Sequence, residues 1–184
     1  MARDRRSGQI VALKEFNANG TYVQNFFREL SNIFQLRHRN IIECLNLIYG
    51  YHGKHYLILE YANGGSLRDA LIQDKEECQN HALEIVGQIA SGLAYAHEQG
   101  LVHQDLKPEN IMICEEQEGK IYKISDMGIS RRIFSHHEDM ISRGSPAYMA
   151  PEQFYDTTSR LSDIYSLGII LYELLTNDLP FEGP

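Results

Sequence analysis

The eight residues His103-Gln104-Asp105-Leu106-Lys107-Pro108-Glu109-Asn110 constrain this chain most. Pro108 has a fixed φ and no N–H, so the segment cannot run on as a regular helix. A carboxylate (Asp105), an ammonium (Lys107) and a carboxamide (Asn110) therefore stand close together in a loop. Such a loop aims side chains and does not pack a core. What it can do depends on what the rest of the chain brings to it.

The flanking sequence divides by its apolar spacing. Gln9–Lys14 reads as a short apolar strand ending on a lysine, and Gly8 suits a turn before it. Tyr22–Arg37 carries Phe26, Phe27, Leu30, Ile33, Phe34 and Leu36 at helical spacing. Leu45–Tyr51 and His55–Glu60 read as strands joined through His52-Gly53-Lys54. Asn63-Gly64-Gly65 reads as a flexible joint, and Ser66 as the N-cap of a short helix. Cys78–Gln99 predicts one long amphipathic helix with Ala82, Ile85, Val86, Ile89, Ala90 and Leu93 on one face. Gly100 suits its C′ position. Asn110–Cys114 and Ile121–Ser125 predict two strands joined by the acidic turn Glu115–Lys120, and Ser162–Leu175 predicts an apolar helix capped by Ser162. Strands and a helix followed mostly by helices imply an α+β chain, with a sheet-bearing lobe and hinge over 1–62 and a helical lobe over 63–184.

Bulk properties narrow the classes. At 184 residues the chain fits one domain or two small lobes. A formal net charge of −8 argues against a nucleic-acid partner. Cys44, Cys78 and Cys114 lack metal-ligand spacing and read as buried thiols of a reducing, cytoplasmic compartment. The charged N-terminus has no apolar core of a signal peptide. The apolar run Ile164–Leu175 is interrupted and too short to span a bilayer. His136-His137 beside Glu138-Asp139 reads as a solvated cluster. Oligomeric state is not legible.

Several further pieces occur in order around the loop: Val11-Ala12-Leu13-Lys14; Glu29 before Leu30; His38-Arg39-Asn40-Ile41; Leu59-Glu60-Tyr61; Asp126-Met127-Gly128; Gly144-Ser145-Pro146-Ala147-Tyr148-Met149-Ala150-Pro151-Glu152; and Ser162-Asp163-Ile164-Tyr165-Ser166-Leu167-Gly168. With His103–Asn110 they make the chain resemble the eukaryotic-type protein kinases over essentially its whole length. Asp-Leu-Lys-Pro-Glu-Asn and Gly-Ser-Pro-Ala-Tyr look like the Ser/Thr branch.

The resemblance implies a bilobal fold and transfer of the γ-phosphoryl group of ATP to Ser/Thr hydroxyls of a protein substrate. It makes Asp105 the base that accepts or orients the hydroxyl proton, and Lys107 the neutraliser of charge building on the phosphoryl group. It makes Asn110 and Asp126 the ligands of Mg²⁺, a hard cation that takes oxygen donors. Lys14 would meet the α/β-phosphates, fixed by Glu29. Ala12 and Met112 would sandwich the adenine, Leu59 would form its back wall, and Glu60 and Ala62 would offer backbone groups. Ser66 would reach the ribose, and Ser145 would bridge Asp105 and Lys107.

The sequence also departs from the family's pattern. Gln104 stands where an arginine usually pairs with a phosphate on the activation loop, so phosphorylation of Ser135 or Ser142 is expected to change activity little. Met127 replaces a phenylalanine and is expected to pack equivalently. By resemblance the domain is incomplete at both ends. The glycine-rich strand-loop-strand is missing, and so are the last helices and the arginine that would pair with Glu152. Seven apolar side chains of Ser162–Leu175 would then lose cover. At ~1.5–3 kcal/mol for each fully buried side chain, half of that loss rivals a domain's whole stability of about 5–15 kcal/mol. Two rivals follow: a catalytically silent kinase-like scaffold protein, or an inactive gene fragment.

Overall fold

In the computed structural model, residues 1–5, 7–17, 34–50, 54–127, 146–155 and 157–181 are described. The first part forms a four-stranded antiparallel sheet of β1 (Ala2–Arg3), β2 (Ile10–Asn17), β3 (Cys44–Tyr49) and β4 (Lys54–Glu60), in spatial order β1-β2-β4-β3. β2 starts one residue later than expected and runs on to Asn17. Gly8 turns the chain between β1 and β2 at φ +75°, and its N–H donates to the Asp4 carbonyl. β4 is central, and period-two alternation buries Leu57 completely. The register sets Ala12 opposite Leu59 and Lys14 opposite Leu57, so these four side chains share one face of the sheet. Most of the expected helix Tyr22–Arg37, including Glu29, lies outside the described residues; Phe34 and Gln35 are helical and Leu36 is buried.

Three helices follow: α1 (Leu67–Gln73), α2 (Lys75–Asn80) and α3 (Ala82–Glu98). Ser66 caps α1 as expected, in a reciprocal box with Asp69. The single helix expected over Cys78–Gln99 is two helices broken at His81. The segment before the break carries one apolar residue, Cys78, so little burial holds it in line with the richer stripe that begins at Ala82. Ile85, Ile89 and Leu93 are buried, while Val86 and Ala90 pack at the edge. Gly100, at φ +76°, takes the C′ position: its N–H donates to the His97 carbonyl, and Leu101 N–H donates to Ala96.

After the loop, β5 (Ile111–Glu116) and β6 (Gly119–Ile124) form a hairpin. Its turn is only Gln117-Glu118, shorter than expected, because the ladder continues through Glu115–Lys120 and Glu116–Gly119. The last helix, α4 (Arg160–Thr176), starts before Ser162. Its cap is Ser159, whose Oγ accepts from Leu161 N–H, while Ser162 Oγ accepts from Ser159 N–H.

The main core lies between α1, α3, α4 and the β5–β6 hairpin, with Ile85, Ile89, Ile111, Ile124, Ile170 and Leu174 fully buried. Of the seven apolar side chains of α4 expected to lose cover, Leu167, Ile169, Ile170 and Leu174 are buried in this core, whereas Ile164 and Leu175 are exposed. Gly92 permits α3 to close on its neighbours: a Cβ there would sit 2.7 Å from the Asn40 carbonyl oxygen.

Among the described residues two crossings link the sheet to this core, and both are pinned to the hairpin. Ile42 N–H donates to Ile124 O, and Ile124 N–H to Asn40 O. Buried Asn40 donates from Nδ2 to Gln88 Oε1 and Tyr122 O. The segment Asn63-Gly64-Gly65, expected as a flexible joint, is laced to β5. Gly64 N–H donates to Ile113 O, Ile113 N–H donates to Gly65 O, and Glu115 N–H donates to Asn63 Oδ1. Glycine serves there for close approach, since a Cβ on Gly64 would lie 2.9 Å from Ile113 Cγ2. No helix among the described residues is long and apolar enough to cross a membrane.

Candidate functional site

The loop is held from beneath by buried groups. Leu106 and Pro108 sink into the core, and Pro108–Asn110 forms a single 3-10 turn. His103 is 2% exposed; its Nδ1 accepts from Asp105 N–H and its Nε2 lies 2.8 Å from the Ser125 carbonyl oxygen. That pattern requires the neutral tautomer with the proton on Nε2. Gln104 adopts a left-handed conformation, φ 71°, at roughly 1–3 kcal/mol for a non-glycine residue. The surroundings enforce it. Its N–H donates to Asp163 Oδ1 and its carbonyl accepts from Gln153 Nε2. Asp163 also accepts from His103 N–H at 2.8 Å and from His97 Nε2 at 2.8 Å. One carboxylate of α4, 1% exposed, thus fixes two consecutive residues of the loop.

On the other side the loop presents its chemistry. Lys107 Nζ lies 3.0 Å from both oxygens of Asp105. Asn110 Nδ2 donates to the Asp105 carbonyl at 2.7 Å and to its carboxylate at 3.2 Å. With the amide nitrogen so engaged, the Asn110 amide oxygen is turned to the opposite side. The Asn110 carbonyl accepts from Ser125 N–H and Oγ, which ties the turn to the residue just before Asp126. Asp126, in a left-handed conformation at φ 62°, pairs with Lys14 Nζ at 2.6 Å across from the sheet. A carboxylate flanked by a cation and a carboxamide is so tied, through Asn110 and Ser125, to a lysine–carboxylate pair that joins β2 to the end of β6. Among the described residues no group of three or more His, Cys, Asp or Glu could hold a metal ion. The oxygen donors of Asp126 and Asn110 still fit Mg²⁺, which binds through one or two carboxylates plus substrate phosphates and not in an all-protein cage.

Leu59, Ala62 and Met112 also converge, around a small cluster with Ile42, Cys114 and Ile121. Ala12 is set opposite Leu59 by the sheet register. Glu60 N–H donates to the Glu43 carbonyl, so a backbone group offered by Glu60 to a ligand would be its carbonyl. Its side chain pairs with Lys123. The Ser66 hydroxyl is 2.6 Å from Asp69 Oδ2 and committed to the cap of α1. Met127 is buried in the main core. Glu29, Gly128, Ser135, Ser142, Gly144, Ser145 and the His136-His137 pair lie outside the described residues. Glu152 accepts from Ser162 Oγ at 2.7 Å, and that bond draws its carboxyl below the usual range.

Two residues with strong roles carried no assignment from the sequence. Asp163 stood in the motif Ser162–Gly168 but with no role attached to it. Arg68 in α1 is the other. Its Nε meets Glu109 at 2.8 Å, its Nη1 meets Glu173 at 2.6 Å, and its Nη2 donates to the Tyr148 hydroxyl, which itself donates to Glu173. Burial opposes the Arg68 charge, but the bonds to Glu173 and Glu109 hold its pKa above the ordinary arginine value. Burial, then the Glu173 bond, pushes the Tyr148 hydroxyl up. A lone arginine in the first turn of a short helix gives no sequence cue.

This arrangement on a small sheet plus a helical core is that of the protein kinase domain, whose family matches residues 1–184; the chain belongs to that family. It is 32% identical to CBL-interacting protein kinase 9 of Oryza sativa subsp. japonica over all of this chain and 41% of that protein. It is 34% identical to a probable serine/threonine-protein kinase of Clostridium perfringens, over 99% of this chain and 27% of that protein. Calcium-dependent protein kinase 5 of Plasmodium berghei is 33% identical over 99% of this chain and 32% of its own length. The chain spans less than half the length of these relatives.

Proposed function

We propose that this chain is the catalytic part of a protein serine/threonine kinase that moves the γ-phosphoryl group of ATP to a protein hydroxyl. The observation that carries the reading is the Asp105 carboxylate, bracketed by Lys107 Nζ at 3.0 Å and Asn110 Nδ2 at 3.2 Å, beside the Lys14–Asp126 pair. Phosphoryl transfer asks for positioning and charge neutralisation more than for covalent work.

Asp105 orients the substrate hydroxyl and takes its proton; positioned base catalysis is typically worth about 10²–10⁴ in rate. Lys107, already against that carboxylate, offsets negative charge on the transferred group. Lys14 swings from Asp126 to the α/β-phosphates. Asp126 and Asn110 supply oxygens to Mg²⁺, which when bound neutralises phosphate charge. Ala12, Met112 and Leu59 enclose the adenine, and the backbone of Glu60 and Ala62 meets its polar edge. The division into residues 1–62 and 63–184 follows the same reading, with the nucleotide between the two parts.

The test is phosphate transfer from labelled ATP with Mg²⁺ to a Ser/Thr peptide mixture by the full-length protein, beside its Asp105→Asn variant. Transfer by the first and its near-abolition in the second supports the reading. ATP and Mg²⁺ binding with no transfer in either would mark the silent, scaffold-like alternative.

A further inference from the structure

Arg68 joins four segments of the molecule at one point. Its guanidinium faces Glu109, Glu173 and the Tyr148 hydroxyl. Glu109 lies in the same 3-10 turn as Asn110 and follows Asp105 by four residues, so this cluster sits on the loop that carries the proposed chemistry. It is also open to solvent on one side. The side chains of Arg68 and Glu109 are 26% and 40% exposed, whereas Glu173 is 11% exposed. Two carboxylates turned to a common point are the natural acceptor for a planar guanidinium with five donors. Here the chain supplies that guanidinium itself.

We infer that Arg68 is a specificity-determining residue: it fills from within an acidic recess beside Asp105 that would otherwise bind an arginine of the protein substrate. The inference rests on the protein-kinase reading. A tethered guanidinium meets its acceptors at a high effective concentration, so a substrate arginine does not displace it. The kinase therefore takes substrates without a basic residue beside the acceptor hydroxyl. Without Arg68 the recess keeps two carboxylates and a hydroxyl and lacks a cation.

The test compares the full-length wild type and Arg68→Ala on peptides with arginine or alanine placed at each position flanking the phosphoacceptor. In the wild type the kcat/KM ratio of arginine to alanine peptides is expected near one everywhere. In Arg68→Ala it is expected to rise about tenfold or more at one position, the scale of a charged hydrogen-bonded pair, and to fall back when Glu109→Gln is added. If Arg68→Ala does not fold, Arg68→Gln keeps two donors for the carboxylates and replaces it. A folded variant with wild-type ratios at every position overturns the inference, as does a wild type that already favours arginine tenfold. If the wild type phosphorylates no peptide, the kinase reading fails instead. The recess is then judged by agmatine, which must raise the melting temperature of the variant and not of the wild type; equal shifts overturn the inference.

Discussion

Asp105 and Asp163 divide the work of one loop between them. The Asp105 side chain is 30% exposed, and its carboxylate meets two side chains, Lys107 and Asn110. The Asp163 side chain is 1% exposed, and its carboxylate holds two backbone N–H groups of that same loop and the His97 ring. The first holds no backbone group with its carboxylate and is open to solvent on one side, as the proposed chemistry needs. The second is committed to three hydrogen bonds and is closed to solvent. A buried acid that accepts three hydrogen bonds fixes position; a half-open acid with polar neighbours can exchange a proton.

That contrast is breakable. Asp105→Asn should lower transfer by about 10²–10⁴ and move the melting temperature by less than ~3 °C, measured on the same preparation. Asp163→Ala should do the reverse in kind. It leaves two buried N–H groups and an imidazole unsatisfied, at about 3–5 kcal/mol of stability by denaturant unfolding. If Asp163→Ala proves as stable as the wild type while Asp105→Asn unfolds, the assignment of roles is inverted.

Smaller effects sharpen the same boundary between scaffold and chemistry. Asn40→Ala removes the donors to Gln88 and Tyr122, neither of which lies on the loop of Asp105; about 1–3 kcal/mol should be lost with KM for ATP unchanged. Cys44 is 2% exposed, and burial raises its thiol to about 11. Its unfolded thiol ionises at the ordinary lower pH, so in the native protein an aromatic disulfide reagent at pH 8 should leave Cys44 unlabelled until denaturant is added. The smallest expected effect concerns Gln104, whose N–H and carbonyl serve Asp163 and Gln153. A neutral side chain there offers no cation to a phosphate, so phosphatase treatment of the active full-length protein should change its rate less than about twofold.

The loop, the cap Ser66, the C′ residue Gly100 and the hairpin β5–β6 were legible because each depends on local chemistry: a proline, a hydroxyl, a left-handed glycine, a short apolar alternation. The grouping of Asp105, Lys107, Asn110 and Asp126 was legible from motif order. The break at His81 was hidden because Cys78 happens to fall on the stripe that begins at Ala82. The early start of α4 was hidden because Ser159 and Ser162 are both competent caps, and their choice depends on mutual geometry. Arg68 was invisible for a different reason. Its partners lie 41, 80 and 105 residues away, and nothing local distinguishes it from a solvated arginine.

The two pinned crossings have a mechanical consequence. Residues 40–42 and 63–65 both attach to the β5–β6 hairpin, one on each of its strands. Among the described residues, both chain crossings of the four-stranded sheet are therefore fastened to the same hairpin, much as a gate is hung from one post. Lys14 lies on the sheet and Asp126 just beyond the hairpin, so any lean of the sheet about this fastening would change the distance between the two.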